Sequence, residues 1–233
     1  MHKTEAAIVD IFSSLQGEGI FLGAKQIFVR FKVCNLDCGY CDEPRDARAE
    51  RYSPKALLEK ITALDEAKGA HHSVSLTGGE PLCYVDFLEV FLPLLRKSGR
   101  KSYLETNGTL PDALRRVIDW VDIVAMDIKL PSSTLGKAFW AEHAEFLRTA
   151  LKGKVFVKAV VTAGTSTEDI ERAMRLVARC GTNIPFILQP VTAIRKADNT
   201  TKERLLEFIE IGMRRKLDTV KVVTQMHKIW GIK

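Results

Sequence analysis

No run of apolar residues in this sequence approaches the roughly 20 that a membrane-spanning helix needs. The first residues, MHKTEAAIVDIF, lack the basic-then-apolar order of a secretory signal, and these two absences make the cytoplasm the expected location. No internal repeat, linker or low-complexity tract breaks the 233 residues. A single domain spanning 1–233 is therefore expected, long enough for a full hydrophobic core. Aromatic residues are scarce, at 8%, and nowhere interleave with dense Lys/Arg, so no nucleic-acid groove is expected. The net charge of +6 suits a solvated basic surface, with Arg115–Arg116 and Arg214–Arg215 on helix faces, or an acidic small-molecule substrate. Cysteine is also scarce: five residues, an odd number, which does not suit a disulfide framework.

What is present is a repeating order of strand and helix. Ala6–Phe12 reads as a strand followed by the Gly-rich loop SLQGEGIFLG, and Ile27–Phe31 as a second strand that runs into a cysteine cluster. Ser53 and Pro54 read as N-cap and first-turn residues of a helix to about Lys68. Strands follow at Ser73–Leu76, Ser102–Glu105, Asp122–Met126, Val155–Val161, Phe186–Leu188 and Thr219–Val223. Helices are expected over about Val85–Lys97, from Pro111, over Phe139–Leu151, from TSTED to Cys180, and over Thr200–Arg215. Such alternation predicts an α/β fold with a mostly parallel sheet flanked by helices, open or curled towards a barrel. Chemistry in such folds collects at the carboxyl ends of the strands. The cysteine cluster, TGGEP, ETNG, MDIK and LQP all follow predicted strands.

Cys34, Cys38 and Cys41 form a CxxxCxxC triplet. Three thiolates on one loop suit a soft metal centre, and on a [4Fe–4S] cluster they leave one iron without a protein ligand. A zinc site would need a fourth ligand from His71, His72 or Cys83, and a Cys38–Cys41 redox pair would leave Cys34 unexplained. Cys83 and Cys180 stand alone and read as buried structural thiols.

The triplet, with Tyr40 before its last cysteine, resembles the signature of the radical S-adenosylmethionine (SAM) superfamily. Thr77-Gly78-Gly79-Glu80-Pro81 is similar to the strand end that binds the SAM amino group there. The resemblance implies a partial (β/α)6-type radical-SAM barrel with a curved sheet, a [4Fe–4S] cluster on Cys34, Cys38 and Cys41, and SAM chelated to the open iron. Reductive cleavage of SAM would yield a 5′-deoxyadenosyl radical, with Tyr40 packed near the adenine and Glu80 supplying a carboxylate for an ammonium. Further segments extend the similarity almost end to end: SLQGEG, IFVRF, ETNGTLP, DIKLPS, LQP and QMHK. Together they resemble the ring-contracting enzymes of 7-deazapurine (queuosine) biosynthesis.

That narrower resemblance implies conversion of 6-carboxy-5,6,7,8-tetrahydropterin into 7-carboxy-7-deazaguanine and ammonia. Gln16 and Glu18 would face the pterin edge; as a plain loop, Gln16 would cap a turn. Arg30, a lone charge in an apolar strand, needs a partner, either the substrate carboxylate or an internal acid. His227 and Lys228 would close over the substrate, on a tail docked through Ile229, Trp230 and Ile232. Asp42, Thr77, Gly78, Gly79, Glu105, Asn107, Lys129 and Gln189 are expected to contact SAM or shape the site. The resemblance also implies Mg²⁺, a homodimer, and an electron donor such as flavodoxin or ferredoxin. Glu43 stands where threonine often contributes to the magnesium site, and is expected as a metal ligand in its place. A second radical-SAM reading is an activase that installs a glycyl radical on a partner protein.

Overall fold

Strands and helices alternate along the chain of the computed structural model, which describes residues 5–44, 46–192 and 200–232. The end of the QPVTA segment, at Ala193, and the extreme termini lie outside the described residues. The strands are β1 (Ala6–Leu15), β2 (Lys25–Phe31), β3 (Glu50–Tyr52), β4 (Ser73–Gly78), β5 (Ser102–Thr106), β6 (Ile123–Asp127), β7 (Lys154–Val161), β8 (Phe186–Pro190) and β9 (Val220–Val222). The helices are α1 (Pro54–Lys68), α2 (Val85–Lys97), α3 (Pro111–Val117), α4 (Pro131–Thr134), α5 (Trp140–Ala150), α6 (Thr167–Cys180), α7 (Lys202–Arg214) and α8 (Met226–Trp230).

The helix starts follow from local chemistry. Ser53 accepts from the Ala56 N–H, with Pro54 in the first turn, and Ser166 and Thr201 accept from Asp169 and Arg204 in the same way. The short helices α4 and α8 were not expected, and two strands also depart from expectation. β1 runs on to Leu15, into the expected loop, because Ser13, Ser14 and Leu15 pair with Ile27, Gln26 and Lys25 of β2. β3 was not expected: three residues with no apolar alternation, fixed only by pairing Tyr52, Arg51 and Glu50 with Ala6, Ala7 and Ile8.

One sheet, ordered β3-β1-β2-β4-β5-β6-β7-β8-β9, carries all these strands. β1 is antiparallel to its neighbours, and β2 through β9 are parallel. The sheet is open and curved, a partial barrel. Consecutive helices α1, α2, α3, α5, α6 and α7 pack one against the next outside it.

Alternation along each strand separates two interiors. Val124 and Met126 of β6 join the main core under the helices, while Ile123 and Ala125 face the concave side with Tyr103, Phe156 and Ile187. Phe21, on the loop after β1, packs edge-on to Tyr103 at 5.6 Å between centroids and so plugs the barrel from below. Gly19 permits this plug: its φ is +66°, and a Cβ there would lie 2.6 Å from the Phe156 ring. The concave face thus has an apolar floor, with one more layer of inward positions above it.

Candidate active site

That upper layer is polar. Arg30, Thr77, Glu105, Asp127, Lys158 and Gln189 come from the carboxyl ends of β2, β4, β5, β6, β7 and β8, and all line one cavity of about 420 Å³. Cys34, Cys38, Tyr40 and Cys41 line the same cavity, as do Asp42, Glu43, Gly78, Gly79, Asn107 and Lys129. Gln16 and His227 border a smaller adjoining space, shared with Glu18, Arg30 and Glu43. The Met226 N–H donates to the Gly17 carbonyl at 3.0 Å, and the His227 ring occupies the space a Cβ on Gly17 would need.

Hydrogen bonds give several expected ligands internal work. Gln16 donates through Nε2 to Gln26 Oε1 at 3.0 Å and Glu105 Oε1 at 2.9 Å, and accepts from the Glu18 N–H at 3.0 Å. This is the turn-capping role, and it leaves Gln16 no free donor for a pterin edge. Glu80 does not line the cavity. It is fully buried and accepts from the Leu82 and Asn107 N–H groups and from the Thr106 hydroxyl, at 3.0, 2.7 and 2.9 Å. Burial pushes its carboxyl up to about 7, against these three donors. Glu80 thereby joins the ends of β4 and β5.

Asn107 and Thr109 hold Asn35, directly after Cys34: Asn107 Nδ2 donates to Asn35 Oδ1 at 2.8 Å, and Asn35 Nδ2 donates to Thr109 Oγ1 at 2.9 Å. Gly78 and Gly79 let the cysteine loop approach β4. A Cβ on Gly78 would lie 2.5 Å from the Phe31 backbone, and one on Gly79 would lie 2.3 Å from the Val33 carbonyl oxygen. Cys83 and Cys180 are half-buried rather than buried, and Cys83 accepts from the Asn35 N–H.

Ion pairs dominate the rest. Lys158 Nζ lies 2.5 Å from Glu18 Oε2 and 4.0 Å from Asp127 Oδ2. Burial opposes the charge on Glu18, but the Lys158 ammonium and a donor from Gln225 outweigh it and hold the carboxyl at about 2. Lys129 donates to Asp127 Oδ2 at 2.9 Å and to the Tyr40 hydroxyl at 3.3 Å, with its ammonium 5.3 Å from the Tyr40 ring centre. Arg30 is paired with Glu43, an internal acid and one of the two partners expected for it. Lys228 pairs with Asp42 at 2.6 Å, tying α8 to the cysteine loop. The tail therefore docks through Gln225, Met226 and Lys228. Ile229 and Trp230, expected to dock it, are 63% and 44% exposed.

Sequence reasoning missed Asp127, Lys158, Gln225 and His143. The signal for Lys158 was available: a lone lysine inside VFVKAVV, the same anomaly that drew attention to Arg30. His143 gave no such signal. It is fully buried, accepts the Lys129 N–H on Nε2 at 3.1 Å and donates from Nδ1 to the Gly108 carbonyl at 3.0 Å, so it joins the loops after β5 and β6. Burial pushes its imidazole down to about 4, from 6.5. A depressed histidine stabilises the fold fully above 6.5, and that contribution drains as pH falls from 6.5 towards 4, by about 3 kcal/mol in total. The Glu18 contribution is lost only lower, between 4.5 and 2. Glu80, raised to about 7, gains stability over the same window, so the readout is the difference between proteins. From pH 7 to pH 5 the wild type is expected to lose about 2 kcal/mol relative to His143→Gln in denaturant unfolding. An equal pH slope in the variant would remove the assignment.

The cavity's chemistry suits the cofactors implied by the cysteine triplet. Three soft donors face it from one loop, while Asp127 Oδ1 and Gln189 Oε1 are buried acceptors without a partner, open to the donors of a polar ligand. Among the described residues no three His, Cys, Asp or Glu side chains converge on a single ion. A four-iron cluster makes a different demand, since each thiolate binds a different iron. The carboxylate of Glu43, expected as a magnesium ligand, is engaged by Arg30.

A curved half-barrel with a cysteine triplet facing a polar cavity at its strand ends defines a radical SAM protein. The family described as the Radical SAM superfamily matches residues 28–183, and the chain belongs to it. It is 38% identical to the 7-carboxy-7-deazaguanine synthase of Geobacter sulfurreducens over 99% of each chain, and 35% identical to that of Methanothermobacter thermautotrophicus over 98% of each. Within the superfamily, the chain belongs to the 7-carboxy-7-deazaguanine synthase family. The crystal structure of QueE from Escherichia coli shares the fold, with a TM-score of 0.64 and 24% identity over 95% of this chain and 94% of that one.

Proposed function

We propose that this enzyme contracts the ring of 6-carboxy-5,6,7,8-tetrahydropterin to 7-carboxy-7-deazaguanine with release of ammonia. The observation that carries the reading is the single cavity with three cysteines on one wall and Glu18, Glu105, Asp127 and Lys158 on the other. A [4Fe–4S] cluster on Cys34, Cys38 and Cys41, with SAM, supplies the radical chemistry when bound. The chain's own residues orient the substrate. Glu18, kept ionised by Lys158, offers an acceptor edge to the amino groups of a pterin. Arg30 meets the substrate carboxylate by exchanging it for Glu43. His227 closes the side of the smaller space, and the apolar floor of Phe21, Tyr103 and Phe156 shuts out water from below. Tyr40, Thr77, Asn107, Lys129 and Gln189 are proposed to shape the SAM side, Asp42 and Lys228 to hold the tail over the site.

The whole chain is proposed to work as one domain in the cytoplasm, reduced by a flavodoxin or ferredoxin. A homodimer is proposed on the same footing, with exposed Leu15, Leu22 and Trp230 available to an interface. No helix among the described residues is long and apolar enough to cross a membrane.

The test is an anaerobic incubation of the reconstituted protein with SAM, dithionite and the tetrahydropterin, followed by mass detection. 7-Carboxy-7-deazaguanine is expected from the wild type and not from Cys38→Ala. Because Arg30 releases Glu43 when it takes the substrate carboxylate, a chelator of Mg²⁺ is expected to lower turnover, and unchanged turnover would remove Glu43 as a metal ligand. SAM cleavage without the deazaguanine would move the assignment to another acceptor, such as a protein glycine in the activase reading.

A further inference from the structure

His143 belongs to α5, in the outer layer of helices, and lines neither space of the site. It is fully buried all the same, and both ring nitrogens are spent on backbone groups of two different loops. The Lys129 N–H must donate, so Nε2 accepts it, and the ring proton sits on Nδ1, facing the Gly108 carbonyl. A core histidine satisfied in this way is ordinary. What sets this one apart is where the two loops lead.

Each loop carries a strut that ends on the cysteine loop. From the loop after β5, Asn107, next to Gly108, donates through Nδ2 to Asn35 Oδ1 at 2.8 Å, directly after Cys34. From the loop after β6, Lys129 donates through Nζ to the Tyr40 hydroxyl at 3.3 Å, directly before Cys41. The struts therefore meet the cysteine loop beside its first and last thiols, and His143 ties their bases together. The tie is a planar ring between two main-chain atoms. The Phe139 ring stands edge-on to it at 6.3 Å, and a Cβ on Gly108 would lie only 3.1 Å from Nδ1.

We propose that His143 is a positioning residue for SAM: it sets the spacing of the two struts and, through them, the pose of the cysteine loop against the cofactor. This rests on the radical-SAM reading of the triplet and goes beyond it, since His143 reaches the cavity only through other residues. Without the imidazole, two buried backbone groups lose their partners and the loops shift to find others. Asn35 and Tyr40 move with them. Glu18 and Arg30, on the loop after β1 and on β2, keep their own supports. The loss falls on SAM rather than on the pterin.

The experiment uses the full chain with its cluster reconstituted anaerobically. SAM binding is titrated through the EPR signal of the reduced cluster, and KM for the tetrahydropterin is measured at saturating SAM. His143→Phe keeps a ring in the core and deletes both hydrogen bonds. At equal iron and sulfide content it is expected to weaken SAM binding about tenfold, as loss of a residue supporting a ligand shell does, with the pterin KM unchanged. His143→Gln carries one acceptor and one donor on a planar amide, and is expected to restore SAM affinity.

Wild-type SAM affinity in His143→Phe would overturn the proposal. So would equal losses in His143→Phe and His143→Gln, which would assign the effect to ring packing, or equal losses for SAM and the pterin, which would make the role structural alone. If His143→Phe does not fold, His143→Asn, whose shorter amide reaches Gly108 alone, carries the same SAM expectation and the same overturning result. A wild type that holds its full cluster and binds no SAM would instead strike the radical-SAM reading, a result distinct from these.

Discussion

Replacing Lys158 by methionine is expected to destabilise the protein by about 3–5 kcal/mol, the usual effect of stripping one member from a buried ion pair. The lysine and Glu18 side chains are only 11% and 16% exposed, and they meet at 2.5 Å. Without the ammonium, burial would be the largest influence left on the Glu18 carboxyl and would drive it to protonate. The acceptor edge proposed for the pterin would then be neutral, so turnover is expected to vanish with it. Glu18→Gln in the same background restores shape and removes the orphaned charge. Much of the lost stability is expected to return in the double variant while turnover does not. Denaturant unfolding of the wild type, both single variants and the double closes the cycle. Strictly additive stability changes would show that the pair does not act as a unit.

Gly79→Ala is expected to empty the cysteine loop of iron. The added methyl would sit 2.3 Å from the Val33 carbonyl oxygen, 2.6 Å from its carbon and 3.0 Å from the Cys34 nitrogen. These are backbone atoms, which cannot swing aside as a side-chain tip can, so the strand end and the loop must separate. The Glu80 N–H bond to the Val33 carbonyl, at 2.7 Å, goes with them. Overpacking of this kind costs about 1–3 kcal/mol, which the folded chain can survive. The damage is therefore expected in cluster content first: iron and sulfide per chain fall well below the wild type after reconstitution. Gly153→Ala is the control, because its methyl would find only an ordinary 3.4 Å contact. A fully loaded and equally stable Gly79→Ala protein would show that this close approach is not needed.

Much of the fold was legible because its signals are local. Ser53, Ser166 and Thr201 announce helix starts through one hydrogen bond each, and the short β-branched run Val155–Val161 reads as a strand buried on both faces. β3 was illegible for the opposite reason: Glu50–Tyr52 has no preference of its own and exists because β1 offers an unpaired edge. The site divides in the same way. Arg30 stood out as a charge inside an apolar strand, and Lys158 carried the same mark. Asp127, at a strand end beside the recognised DIK segment, was indistinguishable from an ordinary turn residue. His143, in the middle of an amphipathic helix, carries no local mark that sets it apart from its neighbours.

The sequence by itself determined the order of strands and helices, the three thiols on one loop, and the polar residues waiting at the strand ends. Those properties depend on period, spacing and side-chain chemistry, all carried by neighbours along the chain. Only the tertiary structure decided which charges meet. Arg30 finds Glu43, Glu18 finds Lys158 across 140 positions, Lys228 finds Asp42, and Glu80 is taken up by backbone donors of two strand ends. A long charged side chain reaches whatever the curvature of the sheet brings beside it, and that curvature is a sum over every strand pair at once.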